Sequence, residues 1–258
     1  MKNYLTLANK ILVNGNERSD RTGTGTLSLF GEQLKFNLED GFPLITTKKM
    51  FFKGIIGELI WMLSGETNIK FLQDNNIHIW DAWSKNNDVG KVYGYQWRNF
   101  NGQNIDQIKN VIESIKNYPT SRRHLVVSYN PAQINEMSLP PCPSFFQFYV
   151  NNNKLSLHLY QISADLFLGV PFDIAVYALL LNLIALECGL LPFELIISYG
   201  DTHIYLNHIE QMKKQVSREP YKLPNIGIKK KDIFNYTFED IQLIDYKFHN
   251  KINGEISI

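Results

Sequence analysis

The stretch Pro171-Phe172-Asp173-Ile174-Ala175-Val176-Tyr177-Ala178-Leu179-Leu180-Leu181-Asn182-Leu183-Ile184-Ala185-Leu186-Glu187, closed by Cys188-Gly189, decides what kind of fold this chain takes. Proline is tolerated in a first helical turn and glycine favours a helix end, so the segment predicts one long helix from Pro171 to Glu187. Its most apolar part, Ile174 to Leu186, is interrupted by Asn182 and falls short of the ~20 apolar residues needed to cross a bilayer. A helix that is apolar all round and spans no membrane is buried by the rest of its own chain. The remaining elements must therefore surround it.

Outward from that helix the pattern is mixed. Leu5, Ala8, Ile11 and Leu12 share one face of a helix over 3–13, ended by Asn14-Gly15. Residues 26–38 alternate as strands through Leu27, Leu29, Leu34, Phe36 and Leu38. Apolar residues over 51–63, closed by Ser64-Gly65, predict a second buried helix, and Ile105, Ile108, Ile112 and Ile115 predict an amphipathic one over 104–117. Strands are expected at 124–129, 145–150 and 154–161, the last two joined through Asn151-Asn152-Asn153 as a hairpin, with further strands at 194–199 and 225–229. Strands and helices do not alternate regularly. This predicts an α+β fold, a mixed β-sheet packed by helices around the long buried helix, in one domain spanning 1–258.

Composition narrows the function. Hydrophobic residues at 44% and charged residues at 20% describe a globular chain. A net charge of +1 lacks the basic excess of a dedicated nucleic-acid binder, so no such partner is expected. Two cysteines, Cys142 and Cys188, are too few for a disulfide scaffold and fit a reducing compartment. Met1-Lys2-Asn3-Tyr4-Leu5 runs into an amphipathic pattern and not a signal-peptide core. The expected location is cytoplasmic, with no membrane partner. The six histidines form no HxxxH or HExxH and no CxxC is present, so no metal site is expected.

Several residues could carry chemistry. Glu58 falls on one helical arc with Phe51, Ile55 and Met62, and a carboxylate among apolar neighbours is either bonded to backbone or a proton-transfer group with a raised pKa. Cys142, in the proline-stiffened loop Leu139-Pro140-Pro141-Cys142-Pro143-Ser144, is either a small hydrophobe or a mounted nucleophile. Cys188, at the end of an apolar helix, reads as core. Arg21 before Thr22-Gly23-Thr24-Gly25-Thr26, and the adjacent Arg122 and Arg123, offer guanidinium forks to a phosphate. The Thr/Gly loop matches neither a P-loop nor a dinucleotide fingerprint, and on its own reads as a turn. Ile79-Trp80-Asp81-Ala82-Trp83 presents indoles beside a carboxylate, suited to a flat ligand or to plain packing, and Gly200-Asp201-Thr202-His203-Ile204-Tyr205 sets His and Tyr donors two residues apart.

Together these segments resemble the thymidylate synthase family along essentially the whole chain. The matching stretches are Asp20-Arg21-Thr22-Gly23-Thr24-Gly25, Phe42-Pro43-Leu44-Ile45-Thr46-Thr47-Lys48, Glu58-Leu59-Ile60-Trp61, Ile79-Trp80-Asp81, Tyr93-Gly94, Ser121-Arg122-Arg123, Pro141-Cys142, Phe145 to Val150, Phe167-Leu168-Gly169-Val170-Pro171-Phe172 and Gly200-Asp201-Thr202-His203. The resemblance implies a homodimer that moves one carbon from 5,10-methylenetetrahydrofolate, as co-substrate, to C5 of a pyrimidine nucleotide. By the same resemblance Cys142 adds to C6 of the ring and Glu58 organises water and proton transfers. Arg21 and Ser163 hold phosphate, with Arg122 and Arg123 reaching it from the second subunit. His203 and Tyr205 bind the sugar hydroxyl, and Gln161 and Asp165 belong to the nucleotide side. Lys48, Trp80, Trp83, Asp165 and Gly169 form the folate side, while Tyr93 and the terminal Ile258 complete the site.

Two departures from the family pattern matter most. Asp173 stands where thymidylate-forming members have Asn, an amide that accepts from uracil N3–H and donates to O4. Cytosine inverts both requirements, and a carboxyl can meet them. A mismatched buried polar pair costs roughly 1–3 kcal/mol, which is enough to choose a base. Asp173 thus resembles the deoxycytidylate hydroxymethylases of the same superfamily and points to dCMP; the plainer reading is an acid favoured at a helix N-terminus, with uracil retained. Ile162 stands where the family has an arginine touching phosphate and the nucleophile's sulfur, so Cys142 should be less ionised. Pro143 and Phe51 also replace polar family residues. The leading expectation is hydroxymethylation (or methylation) of dCMP. Methylation of dUMP to dTMP and a weakly active nucleotide-binding regulator are the alternatives.

Overall fold

The structure is a computed structural model and describes residues 1–257. Its elements run α1 (Lys2–Asn14), β1 (Asn16–Arg18), β2 (Thr26–Phe30), β3 (Gln33–Asn37), α2 (Phe52–Ser64), α3 (Lys70–Asp74), α4 (Tyr93–Arg98), α5 (Gln107–Asn117), β4 (Leu125–Val127), β5 (Pro143–Asn151), β6 (Lys154–Asp165), α6 (Gly169–Cys188), β7 (Leu191–Tyr205), α7 (Ile209–Val216), β8 (Asn225–Ile228) and β9 (Ile241–Ile244).

The long apolar helix is α6. At 20 residues it is long and apolar enough by composition to cross a membrane, yet its sides are covered by β6, β7, α2 and α5. Ile174 to Leu181 are all buried, and so are Leu183 to Ala185. Gly189 ends the helix at φ 69°, a left-handed conformation that costs glycine little.

Seven strands form one mixed sheet in the order β1-β2-β7-β6-β5-β4, with β3 also pairing β7, while β8 and β9 form a separate ladder. Burial alternates along β6: Leu155, Leu157 and Leu159 face α6, while His158 and Ile162 face outward. β5 and β6 are the expected hairpin, with Asn152 and Asn153 at φ 48° and 61°, as a tight two-residue turn requires. β6 and β7 pair in parallel, with α6 as the crossover, so the sheet holds one βαβ unit that the sequence pattern did not separate from its antiparallel neighbours. That unit positions the site, because ligands gather outside the carboxyl ends of parallel strands. Those ends are Asp165 and Tyr205, and the start of α6 lies beside them.

Several boundaries differ from the sequence expectation. α5 begins at Gln107, not at 104, because the Asp106 side chain accepts from Lys109 N and caps the helix there. β7 reaches far beyond 194–199, since it pairs β6 on one side and both β2 and β3 on the other. Phe51 precedes α2 and is exposed, so the apolar arc around Glu58 begins at Ile55. Cys188 is part-buried and packs against the edge of the core.

Candidate active site

Cys142 sits in the loop that enters β5, and its backbone is fixed at both polar atoms. Its N–H donates to Tyr93 Oη at 3.2 Å, and its carbonyl accepts from Ile162 N at 2.8 Å. The register Pro143↔Gln161 carries the loop onto β6. Two consecutive prolines before the cysteine limit the backbone further. The result is a mounted sulfur that lines a cavity of about 830 Å³.

Of the five carboxyl groups that share that cavity with it, three stand on the helix side, Glu58 from α2, Asp165 from the end of β6 and Asp173 from the second turn of α6, and two on the rim, Asp20 and Asp201. Trp80 Nε1 donates to Glu58 Oε1 at 2.8 Å, and the indole is held edge-on against Tyr93 and Trp83. Burial pushes Glu58 up to about 8, with the nearby Asp173 charge adding to the shift and the indole opposing it. Gln161 Nε2 donates to Asp173 Oδ2 at 2.8 Å. Burial raises Asp173 to about 7, against the stabilising Gln161 bond. Asp165 has a different duty: its Oδ1 accepts from Phe167 N and Leu168 N and shapes the entry to α6. Burial drives the Cys142 thiol up to about 12, and the Asp173 charge adds to it.

The opposite rim is polar. The Asp20 carboxylate accepts from Thr22 N, Thr22 Oγ1 and Gly25 N, which folds the Thr/Gly loop into a turn and leaves Arg21 on the cavity wall. His203 and Tyr205 share one face of β7, with Ser163 and Asp165 beside them on β6 in the parallel register Ser163↔Asp201 and Asp165↔His203. His203 Nδ1 contacts Asp201 Oδ1 at 2.9 Å. The chain end lies across this rim: His208 Nε2 meets the Glu255 carbonyl at 2.8 Å, and Thr24 Oγ1 donates to Ser257 Oγ at 3.1 Å. Glycine is needed at Gly254, where a Cβ would stand 2.6 Å from the Phe167 ring and 2.9 Å from His208.

Of the residues singled out from sequence, Cys142, Glu58, Asp173, Tyr93, Arg21, Gln161, Ser163, Asp165, His203, Tyr205, Trp83 and Gly169 line this one cavity. Trp80 lines an adjoining chamber of about 160 Å³ with Glu58, Asp173, Tyr93 and Pro143. Lys48 does not line the cavity: it is buried behind Phe167, donating to the Phe167 carbonyl and lying over its ring, and burial lowers it to about 7. Arg122 and Arg123 are exposed beside β4, at the far edge of the sheet from β2, and do not reach the cavity of their own chain. Ile258 lies outside the described residues. Arg18, Asp20, Phe172 and Asp201 line the cavity and were not singled out. Asp20, Phe172 and Asp201 each stood inside a quoted motif that could have flagged them, and Arg18 did not.

The thymidylate synthase family model matches residues 2–258. The chain belongs to the thymidylate synthase family. Membership makes it a one-carbon transferase whose substrates are a pyrimidine nucleotide and methylenetetrahydrofolate. The mixed sheet with one buried apolar helix agrees with the thymidylate synthase fold. No cluster of His, Cys, Asp or Glu able to hold a metal occurs among the described residues.

Proposed function

We propose that this thymidylate synthase family member transfers one carbon to C5 of dCMP and releases the hydroxymethyl product. The observation that carries the base assignment is Asp173. One of its oxygens receives the Gln161 amide, the other has no hydrogen-bond partner among the described residues, and the carboxyl titrates near neutral pH. Protonated, it donates to cytosine N3. Ionised, it accepts from the N4 amino group and from N3 once N3 carries the proton. Against uracil the ionised form sets a carboxylate lone pair on the O4 lone pairs.

Proton sharing with N3 also bears on the thiol. A ring protonated at N3 is a stronger acceptor at C6, which offsets a sulfur held mostly as thiol. In the addition the S–H proton leaves to a base, the S–C6 bond forms, and the C5=C6 electron pair becomes nucleophilic at C5. C5 takes the methylene carbon from the folate and loses its own proton, and tetrahydrofolate departs to leave an exocyclic methylene. Water then adds to that carbon, Glu58 taking its proton, and the S–C6 bond breaks. The 160 Å³ chamber beside Glu58 supports water attack, because it has room for several waters at ~30 Å³ each and two carboxyl groups to bind them.

We further propose a homodimer built on the outer sheet face, where Leu125, Phe145, Tyr149 and Ile162 are exposed. Arg122 and Arg123 would then serve the partner's nucleotide. A second reading, a weakly active nucleotide-binding regulator, is favoured by the thiol held near 12. Incubating the protein with labelled methylenetetrahydrofolate and dCMP, dUMP or CMP tests all of this. The expected outcome is label in dCMP with tetrahydrofolate released. Product on dUMP alone, with dihydrofolate, overturns the base assignment and the water step. Binding without product favours the regulator.

A further inference from the structure

Arg18 and Arg21 are the only guanidinium groups lining the cavity among the described residues, set against five carboxylates, and only one of the two is fixed. Arg18 Nη1 donates to Asp201 Oδ2 at 2.7 Å, while the other Asp201 oxygen contacts His203. Arg18 pairs with Thr26 and Thr26 with Tyr205, four residues along β7 from Asp201, which pairs with Ser163, so the Arg18–Asp201 bond runs along the sheet face between separate rows. Ile162, next to Ser163 and 40% exposed, supplies no donor there. The Arg18 side chain is 59% exposed, and its ion pair uses one of the five N–H groups of a guanidinium.

We propose that Arg18 is a second anion-binding residue of the nucleotide site, steadied on Asp201 and presenting its remaining N–H groups, with Arg21 and Ser163, to the substrate phosphate. This rests on the reading of the substrate as a nucleoside monophosphate. Asp201 links the guanidinium to His203, so the group that holds the sugar-binding imidazole also sets the height of the phosphate clamp. A planar fork suits a phosphate better than a flexible ammonium, so lysine restores part of the function and alanine none.

The test is calorimetric titration of the full-length protein with dCMP against deoxycytidine, and dUMP against deoxyuridine, for wild type, Arg18→Ala, Arg18→Lys and Arg18→Gln. The preference for monophosphate over nucleoside is then read independently of the base. Arg18→Ala and Arg18→Gln are expected to cut monophosphate affinity roughly 10- to 100-fold, as loss of charge-assisted hydrogen bonds does, with nucleoside affinity unchanged and Arg18→Lys between. An unchanged preference in Arg18→Gln overturns the proposal, and so does an equal loss for monophosphate and nucleoside. Should wild type itself bind nucleoside as tightly as monophosphate, the substrate reading fails, and the role of Arg18 with it.

Discussion

The inner wall of the cavity and its outer rim are built differently. At the inner wall Cys142, Glu58, Trp80, Tyr93, Gln161 and Asp173 come from six parts of one chain, are mostly locked by hydrogen bonds or edge-on aromatic contacts, and carry strongly shifted acids. At the rim Arg21 lines the cavity from a loop held by Asp20, while Arg122 and Arg123 lie beyond the reach of their own site. Reaction chemistry is thus encoded within a single chain, where burial can tune it. On the proposed reading, anion binding is spread over exposed groups, whose charges bulk water screens.

That contrast can be broken by asking which parameter each substitution moves. Cys142→Ser removes the nucleophile, and kcat should fall at least ~10³-fold with nucleotide affinity little changed; substantial residual turnover would mean another group adds to C6. Glu58→Gln should lower kcat roughly 10²-fold or more without a matching rise in KM, as expected of a proton-transfer group. A KM effect alone would assign Glu58 to binding. Arg21→Ala should do the reverse, raising KM for the monophosphate ~10- to 100-fold while kcat holds. A drop in kcat alone would erase the distinction between wall and rim.

The last effect is on stability and leaves turnover aside. Glu58 and Asp173 titrate near 8 and 7 in the folded protein against about 4 when unfolded. Between those values the folded state binds more protons, so the stability these groups contribute is full below pH ~4 and is lost as pH rises through 7 to 8. Asp173→Asn should therefore gain on wild type in thermal denaturation between pH 5 and pH 9, by on the order of 2–4 kcal/mol. A gain that is the same at both pH values would place the carboxylate in a wetter site than the structure describes.

Much of this was legible before the fold. Mostly apolar runs announced α6 and α2, and the Asn-rich turn announced the β5–β6 hairpin, because each signal is local. α4, α7 and β1 were not, since elements this short owe their existence to what they pack against. The parallel β6–β7 pairing is invisible for the same reason: its partners lie a whole helix apart in sequence. At the site, residue types were readable and their states were not. Nothing in the sequence around Asp173 says that Gln161, on another element, occupies one of its oxygens, or that a carboxyl there keeps its proton near neutral pH.

The most direct test of the base assignment is the ratio of kcat/KM for dCMP to that for dUMP, measured in wild type and in Asp173→Asn. Wild type should favour dCMP, and the substitution should invert the preference by raising dUMP turnover as dCMP turnover falls. Equal losses on both nucleotides, or a wild-type preference for dUMP, would contradict the assignment of base choice to Asp173.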